Sequence, residues 1–327
     1  MKRREFLGIL GGAAASWPVV ARAQQPPKPV IGFLSSASAA SFEHLLAPFR
    51  QSLDQEGYAE GRNLMIEYRW AETQFDRLPG LAADLVRQNA VLIVTGGGSL
   101  PALAVKSVAP AMPVVFILGA DPVKVGLTAS FNRPGGNITG VTMLANDLAA
   151  KRLGFLRDLK PTAVSFGLLL NPSNAYAAED RREAEGVSRA TGLRLHIAQA
   201  RSEREIKTAF ESFVTERIDV LLVPPDPVFI DRRDRIIALA ARHGVPTIYP
   251  YREDAVAGGL LSYGASFTTS YRQAGIYVGR ILKGTKPADL PVVQPSKFEL
   301  IINLRTAKTF GLEIPSKLLF TADEVIE

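Results

Sequence analysis

Short apolar runs alternate with segments of helical period along most of this 327-residue chain. Runs of four to six apolar residues are typical of parallel strands that are covered on both faces. A regular strand–helix alternation favours a doubly wound α/β fold. The predicted strands fall into two sets, Val30–Leu34, Leu64–Tyr68, Val91–Thr95 and Val114–Leu118, then Ser165–Leu170, Leu193–Ala198, Val220–Val223 and Pro246–Tyr249.

Glycines mark the ends of two of the predicted helices. Phe42–Glu56 is followed by Gly57, and Asp231–His243 is followed by Gly244. Glycine is common just after the last helical turn, because it adopts the left-handed conformation there without strain. Two further helices are predicted at Arg77–Gln88 and Ile206–Glu216.

The two sets of strands predict two domains, in agreement with the chain length. A stretch rich in Gly and Pro, residues 132–140, lies between them and predicts a linker. After Tyr249 the order changes to a strand at 258–264, a helix at 269–283, a Pro-rich connection at 287–295 and a strand at 298–303. These late elements look like additions to both halves of the chain. We therefore expect the chain to cross between the domains more than once.

The N-terminus has the features of an export signal. A basic start is followed by a modestly apolar stretch and by Ala21-Arg22-Ala23, a small-residue cleavage site. The pair Arg3-Arg4 before Phe6-Leu7 resembles a twin-arginine signal, and a frayed amphipathic terminus is the alternative. We therefore expect residues 1–23 to be a cleavable signal peptide and the protein to be periplasmic.

Charge and composition exclude several classes of protein. Residues 1–23 hold four basic and one acidic residue, so the remainder has 38 − 4 = 34 basic and 32 − 1 = 31 acidic residues, a net charge of +3. Basic and acidic residues are interspersed, whereas nucleic-acid binding favours a stripe of one sign. The chain has no cysteine, which excludes disulfides, thiol nucleophiles and a lipid-modified N-terminal Cys.

No pattern of catalytic or metal-binding residues is present. The three histidines, His44, His196 and His243, fall on separate predicted elements, and neither H-E-x-x-H nor G-x-S-x-G occurs. We therefore expect no enzyme activity, no metal and no cofactor.

The turn after the third predicted strand is the strongest candidate for binding. Ligands of open parallel sheets bind beyond the carboxyl ends of the strands. Gly96–Ser99 precedes a predicted helix start, where free N–H groups and the helix dipole stabilise an anion. An ordinary turn with Ser99 as helix cap is the alternative. The segment matches neither a P-loop nor G-x-G-x-x-G, so nucleotide binding is not predicted.

The other strand-end loops supply small, polar and aromatic side chains. Asp121 and Asp226 each suit either a ligand ammonium or a turn. Tyr249, Tyr251 and Tyr263 suit either the wall of a cleft or the core. The predicted ligand site comprises Ser35, Ser36, Gly98, Ser99, Asp121, Asn171, Asp226, Tyr249 and Tyr263.

Several motifs together resemble the periplasmic substrate-binding proteins of ABC transporters, in the tryptophan-type branch. They cover nearly all of the chain after the signal, and their number and order are more specific than any one of them. The clearest are Glu67–Glu72 (EYRWAE), Asp121-Pro122-Val123, Arg133–Val141 (RPGGNITGV), Gly258–Gly264 (GGLLSYG), Lys286–Pro291 (KPADLP) and Lys297–Leu304 (KFELIINL).

The resemblance implies a type I periplasmic-binding-protein fold, with two α/β lobes, three crossovers and a ligand cleft between the lobes. The crossovers are expected near 137–142, 260–264 and 291–297. The N-terminal lobe would comprise 24–140 plus about 265–294, and the C-terminal lobe 141–264 plus about 295–327. Where relatives typically have Gly-Thr-Pro-Ala, this chain has Gly98-Ser99-Leu100-Pro101, so the relatives' ligand transfers less directly.

The function implied is capture of a small polar solute, such as an amino acid or related carboxylate, and delivery to an inner-membrane ABC permease. Ser35, Ser36 and Ser99 are expected at a carboxylate and Asp121 at an ammonium, with Asn171, Asp226, Tyr249 and Tyr263 opposite. We expect a monomer. The alternatives are a sensory protein that presents its ligand to a membrane receptor, and an exported hydrolase.

Overall fold

A computed structural model describes residues 28–327. The predicted signal peptide, residues 1–23, lies outside the described residues. Within the described part, no helix combines the length and the hydrophobicity needed to cross a membrane.

The first lobe is built on a five-stranded parallel sheet with the order β2-β1-β3-β4-β5. Strands β1, β3, β4 and β5 are almost entirely buried, as expected for strands with helices on both faces. Their bounds are β1 Val30–Ser35, β2 Met65–Trp70, β3 Leu92–Gly96, β4 Val114–Leu118 and β5 Ile138–Thr142.

The second lobe contains a seven-stranded sheet with the order β12-β11-β10-β9-β8-β6-β7. All neighbours are parallel except β10 and β11, which run antiparallel. The bounds are β6 Ser165–Leu170, β7 Arg194–Gln199, β8 Val220–Leu222, β9 Thr247–Tyr249, β10 Leu261–Gly264, β11 Glu299–Asn303 and β12 Glu324–Ile326. The doubly wound α/β prediction is confirmed for both lobes.

Twelve α-helices surround the sheets in the described chain. As predicted, α8 ends at Gly244, which is left-handed (φ 63°), although a break at Arg232 separates it from α7. The helices are α1 Ala39–Gln55, α2 Leu78–Arg87, α3 Leu100–Val108, α4 Ala149–Leu159, α5 Ala177–Thr191, α6 Glu203–Thr215, α7 Pro227–Asp231, α8 Arg233–His243, α9 Arg252–Val256, α10 Phe267–Leu282, α11 Leu304–Thr309 and α12 Ser316–Thr321. Short 3₁₀ helices occupy Phe75–Arg77, Ala145–Leu148 and Pro287–Asp289.

The chain passes between the lobes three times. The first passage follows β5, and the second follows β10, after which α10 packs on α1 of the first lobe. Val293 then exchanges backbone hydrogen bonds with Gly140 (3.0 Å) and Thr142 (2.9 Å) beside β5, and the third passage leads to β11.

Residues 138–142 form an edge strand of the first sheet, where the sequence predicted a linker and a crossover. The predicted lobe boundary at 140–141 falls inside this strand, β5. The glycine that suggested a linker is required by close packing: a Cβ at Gly140 would lie 2.1 Å from the carbonyl oxygen of Phe116 on β4. A glycine in a strand can thus mark close backbone approach rather than a break.

Replacement of Gly275 by alanine is expected to destabilise the first lobe. Alanine normally stabilises a helix by about 1 kcal/mol relative to glycine. Here a Cβ would lie 2.0 Å from Ser52 Oγ and 2.6 Å from the carbonyl oxygen of Phe49 on α1. We expect the clash to lower the free energy of unfolding by about 1–3 kcal/mol, measured by urea denaturation.

Gly154 provides the matched control for this change. It also lies within a helix, α4, but a Cβ there would meet no atom within 4 Å apart from its chain neighbours and the backbone of its own helix. Gly154→Ala should stabilise the protein by up to about 1 kcal/mol. Equal stabilisation by both variants would contradict the close α1–α10 contact.

Candidate functional site

A cavity with an empty volume of about 480 Å³, including its opening to solvent, lies between the lobes. The first lobe lines it with the ends of β3 and β4, at Gly97–Ser99 and at Gly119 and Ala120. The second lobe contributes Asn174 and Asp226, among others. Both lobes therefore contact whatever occupies the cavity, which agrees with the rule that open α/β sheets bind ligands beyond their strand ends.

The turn between β3 and α3 presents backbone and a hydroxyl to the cavity. Gly97 and Gly98 have φ angles of 74° and 99°, a region that favours glycine. Ser99 is only 6% exposed, and its side chain makes no capping hydrogen bond to α3. The hydroxyl is thus available to a ligand, beside the positive end of a nine-residue helix.

Ser35 and Ser36 lie behind this turn and are not among the residues that line the cavity. Both are fully buried. The Ser36 hydroxyl donates to the carbonyl oxygen of Gly97, and Ser35 Oγ accepts from the amide of Ala37 at 3.2 Å. The sequence predicted that these serines contact a ligand carboxylate. In the structure their hydroxyls instead hydrogen-bond to the backbone of this turn and of Ala37.

Asp226 faces the cavity from the second lobe and is 2% exposed. Its Oδ1 accepts from the amides of Val228 (2.8 Å) and Phe229 (3.3 Å), so it caps α7. Asn174 donates to its Oδ2 at 2.6 Å and Asn171 at 3.0 Å. Burial raises the pKa of Asp226 to about 6, and the hydrogen bonds from Asn174 and Asn171 oppose this rise.

The negative charge of Asp226 faces no basic side chain across the cavity. No lysine or arginine in residues 28–327 is among those that line it. Amide donors solvate a buried carboxylate, but they do not neutralise it. A cationic group of a ligand would supply the missing charge.

The two asparagines beside Asp226 differ in their access to the cavity. Asn174 lines it, whereas Asn171 is buried behind Asp226. Asn171 Oδ1 accepts from the amide of Ser173 at 3.0 Å. Asn171 therefore orients Asp226, and Asn174 is in reach of a ligand.

Three more predicted site residues, besides Ser35, Ser36 and Asn171, lie outside the cavity lining. Asp121 Oδ1 accepts from the amides of Val123 (2.7 Å) and Lys124 (3.2 Å), which is the turn alternative. Tyr249 is 2% exposed and packs in the apolar core of the second lobe. Tyr263 packs edge-on against Phe155, with ring centroids 5.0 Å apart. Turn geometry and core packing account for these side chains.

An aromatic wall completes the cavity, and sequence reasoning largely missed it. Phe42, Phe267 and Tyr271 come from the first lobe, and Tyr176 and Tyr251 from the second. The ring centroids of Tyr251 and Phe267 are 4.0 Å apart. Tyr251 follows β9 directly, so its position offered a signal. Phe267 and Tyr271 lie on α10, whose return to the first lobe only the tertiary structure reveals.

The lobes are also in direct contact beside the cavity. Asp231, at the end of α7, accepts hydrogen bonds from the amide of Ser38 at 3.1 Å and from its hydroxyl at 3.2 Å. Lys124 of the first lobe lies 3.9 Å from Glu179 on α5. These polar contacts connect the lobes in addition to the aromatic contact between Tyr251 and Phe267.

The buried side chain of Arg152 hydrogen-bonds to two of the connections between the lobes. Arg152, on α4 and 1% exposed, donates from Nη1 to the carbonyl oxygen of Ala145 at 2.8 Å and from Nε to that of Tyr263 at 2.9 Å. Ala145 lies in the first connection, and Tyr263 just before the second. The guanidinium therefore fixes the relative position of both.

The histidines do not form a catalytic group. His44 lies on α1, His196 Nε2 is 2.9 Å from Ser212 Oγ, and His243 at the end of α8 stacks on Phe210. Among residues 28–327, no three His, Asp or Glu side chains are grouped so that they could hold a metal ion.

Comparison with known sequences gives one family across the chain. The family described as "ABC transporter substrate binding protein" matches residues 31–326. A tyrosine-binding protein of Clostridioides difficile (strain R20291) is 25% identical over 285 residues, which cover 86% of this chain and 81% of that protein. The family consists of binding proteins, in agreement with the prediction that the chain is not an enzyme.

Solved structures share the fold. A conserved domain protein from Vibrio cholerae has a TM-score of 0.83 and 23% identity, over 91% of this chain and 99% of that one. A Streptococcus pneumoniae ABC domain in complex with L-Trp has a TM-score of 0.81 and 24% identity, over 91% and 100%. The type I periplasmic-binding-protein fold is thus confirmed, and the chain belongs to the substrate-binding proteins of ABC transporters.

Proposed function

We propose that this protein captures an α-amino acid, or a closely related carboxylate, between its lobes and delivers it to an ABC permease. The observation that carries the proposal is the pairing across one cavity of an anion-receptive helix start with an uncompensated carboxylate. Ser99 and the first turn of α3 form the anion-receptive helix start, and Asp226 is the uncompensated carboxylate.

The spacing of the two ends suits a zwitterion. A Cβ on Gly98 would lie 3.6 Å from Pro227 Cγ, so the β3–α3 turn approaches the segment that Asp226 begins. An α-amino acid carries its carboxylate and ammonium on one carbon, and it could therefore contact both lobes at once. Its side chain would then meet the aromatic wall of Phe42, Tyr251 and Phe267.

The relatives support this class of ligand. One curated relative is a tyrosine-binding protein, and one structure of the same fold holds L-Trp. Both ligands combine an α-amino acid group with an aromatic side chain, the two chemistries that this cavity offers. Aromatic amino acids are accordingly the first candidates.

Hinge closure is the proposed mechanism of capture. The lobes would comprise 24–142 plus about 265–294, and 143–264 plus about 295–327, with the first boundary just after β5 and not at 140–141 as the sequence predicted. A ligand that contacts both lobes favours the closed state, because the open state offers it only half of the contacts. The hydrogen bonds between Ser38 and Asp231 would form on closure.

Export and delivery complete the proposal. Residues 1–23 would direct the protein to the periplasm by a twin-arginine-like route, and the closed form would act there as a monomer that docks on the permease.

Thermal melting against a solute panel tests the proposal. The purified protein is unfolded and refolded to remove bound solute, then melted with amino acids, organic acids, ureas, sugars and metal salts. An aromatic amino acid at about 100 times its dissociation constant should stabilise the protein by roughly 2.7 kcal/mol. A shift with sugars or metal salts alone, or turnover of a bound solute, would contradict the proposal.

A further inference from the structure

Tyr271 carries a buried hydroxyl without a partner. The residue is 0% exposed, and its hydroxyl oxygen makes no hydrogen bond to the described chain. Tyr277, six residues later on α10, is 5% exposed and donates to the carbonyl oxygen of Pro291 at 2.6 Å. Buried hydroxyls are nearly always paired because an unpaired one is destabilising, so the Tyr271 hydroxyl requires an explanation.

Packing explains the ring of Tyr271 but not its hydroxyl. The ring lines the cavity and lies among aromatic neighbours, with centroids 6.3 Å from Phe267 and 6.4 Å from Phe42. A phenylalanine would make the same ring contacts. The hydroxyl adds only a polar atom to an apolar surrounding, which is unfavourable in the empty protein.

The position of the hydroxyl points to one end of the cavity. A Cβ at Gly96 would lie only 2.9 Å from the Tyr271 hydroxyl oxygen, so glycine at this position makes room for it. Gly96 is the last residue of β3 and directly precedes the Gly97–Ser99 turn. The unpaired donor is therefore located beside the start of α3, on the side where an anion would bind.

We propose that the Tyr271 hydroxyl donates a hydrogen bond to the carboxylate of the bound solute, alongside Ser99 and the first turn of α3. This inference rests on the proposed function and defines it further: it makes a carboxylate at the α3 end a requirement for tight binding. Burial raises the pKa of Tyr271, so the phenol stays protonated and remains a donor. A hydrogen bond to an ionised acceptor is stronger than one to a neutral acceptor.

Tyr271→Phe distinguishes a role in ligand binding from a structural role, because it should weaken binding without lowering the stability of the ligand-free protein. Without ligand, the variant should melt at the same temperature as the wild type or higher, since it loses an unpaired polar atom. Calorimetric titration should show about tenfold weaker binding of L-tryptophan, and only about threefold weaker binding of L-tryptophanamide, whose carboxamide is neutral.

Tyr277→Phe is the control on the same helix. It removes a hydroxyl that is already hydrogen-bonded and belongs to a residue outside the cavity lining. The variant should melt about 2 °C lower and bind L-tryptophan with unchanged affinity.

The results of these titrations distinguish a failure of the Tyr271 inference from a failure of the proposed function. Unchanged L-tryptophan affinity in Tyr271→Phe, or equal losses for the acid and the amide, would overturn the carboxylate contact while the proposed function stands. If the wild type bound none of the panel amino acids, L-tryptophan included, the proposed function and this inference would fail together.

Discussion

Replacement of Asp226 by asparagine is expected to weaken binding of an aromatic amino acid about 100-fold. Loss of one partner from a buried, hydrogen-bonded charge pair costs about 2–5 kcal/mol, and 100-fold lies within that range. Asparagine is also a good N-cap residue, so it can still accept from the amides of Val228 and Phe229. Its Nδ2 would, however, face the donating amides of Asn171 and Asn174, so the variant should melt at a lower temperature. Titration calorimetry well below that temperature should show the loss in affinity.

The pH dependence of binding provides a second readout of the same variant. Because the pKa of Asp226 is raised to about 6, its carboxylate is ionised in the empty protein above that pH. Wild-type affinity should be constant from about pH 7 to about pH 8, where the ligand ammonium keeps its proton, and below pH 6 it should approach a tenfold decrease per pH unit. Asp226→Asn should lack this decrease. If both proteins changed equally with pH, Asp226 would not be the group that meets the ammonium.

Stability should change with pH in the opposite direction. The folded pKa of Asp226 is raised above the ordinary value of 3.8, so folding favours its protonated form. Its contribution to stability is thus fully present below pH 3.8 and is lost as the pH rises through about 6. The empty protein should gain stability from this group under the acidic conditions that weaken binding.

Asp254→Asn is the matched control. Asp254 is also buried at the start of a helix, where its Oδ2 accepts from the amide of Tyr251 at 3.0 Å. Burial raises its pKa to about 7, but it is not among the residues that line the cavity. The change should affect melting without altering affinity for the amino acid.

Replacement of Arg152 by methionine is expected to lower the free energy of unfolding by about 3–5 kcal/mol. Methionine fills much of the arginine's space but leaves the carbonyl oxygens of Ala145 and Tyr263 without their donors. It also removes the positive charge near the buried carboxyls of Asp180 and Asp254 and the half-buried carboxyl of Glu183. Loss of one partner from a buried charge cluster is strongly destabilising.

The cost of this change should depend on pH. Burial raises the pKa of Asp180 and of Glu183 to about 7, and Arg152 opposes both shifts. Above pH 7 these carboxylates are ionised and depend on the guanidinium, whereas at pH 5 they are protonated in the folded protein. Urea denaturation should therefore show a larger difference between wild type and variant at pH 8 than at pH 5.

Arg157→Met is the control on the same helix. Arg157 lies on α4 five residues after Arg152 and is exposed to solvent. Its replacement should change the free energy of unfolding by less than about 0.5 kcal/mol at either pH. A comparable loss in both variants would mean that methionine disturbs α4 itself, and the role of Arg152 between the connections would have to be abandoned.

Local sequence determined the fold class and most of the buried parallel strands. The apolar runs located β1, β3, β4 and β6 within one residue, because a strand buried on both faces must be apolar throughout. Order along the chain could not show that 138–142 joins the first sheet, since β5 reads locally as a loop rich in Gly and Thr. Its burial depends on the pairing with β4 and on Val293, about 150 residues later.

Some residues of the candidate site could likewise be predicted from the sequence, and others only the tertiary structure located. The sequence placed Gly98, Ser99 and Asp226 at strand ends, and the structure brings all three to one cavity because the ends of parallel strands meet at one edge of each lobe. It could not show that Ser35, Ser36, Tyr249 and Tyr263 face the turn or the core, since alternate residues of a strand point to opposite sides. Tyr271 reaches the cavity only because α10 returns to the first lobe, a contact between distant parts of the chain that no local pattern encodes.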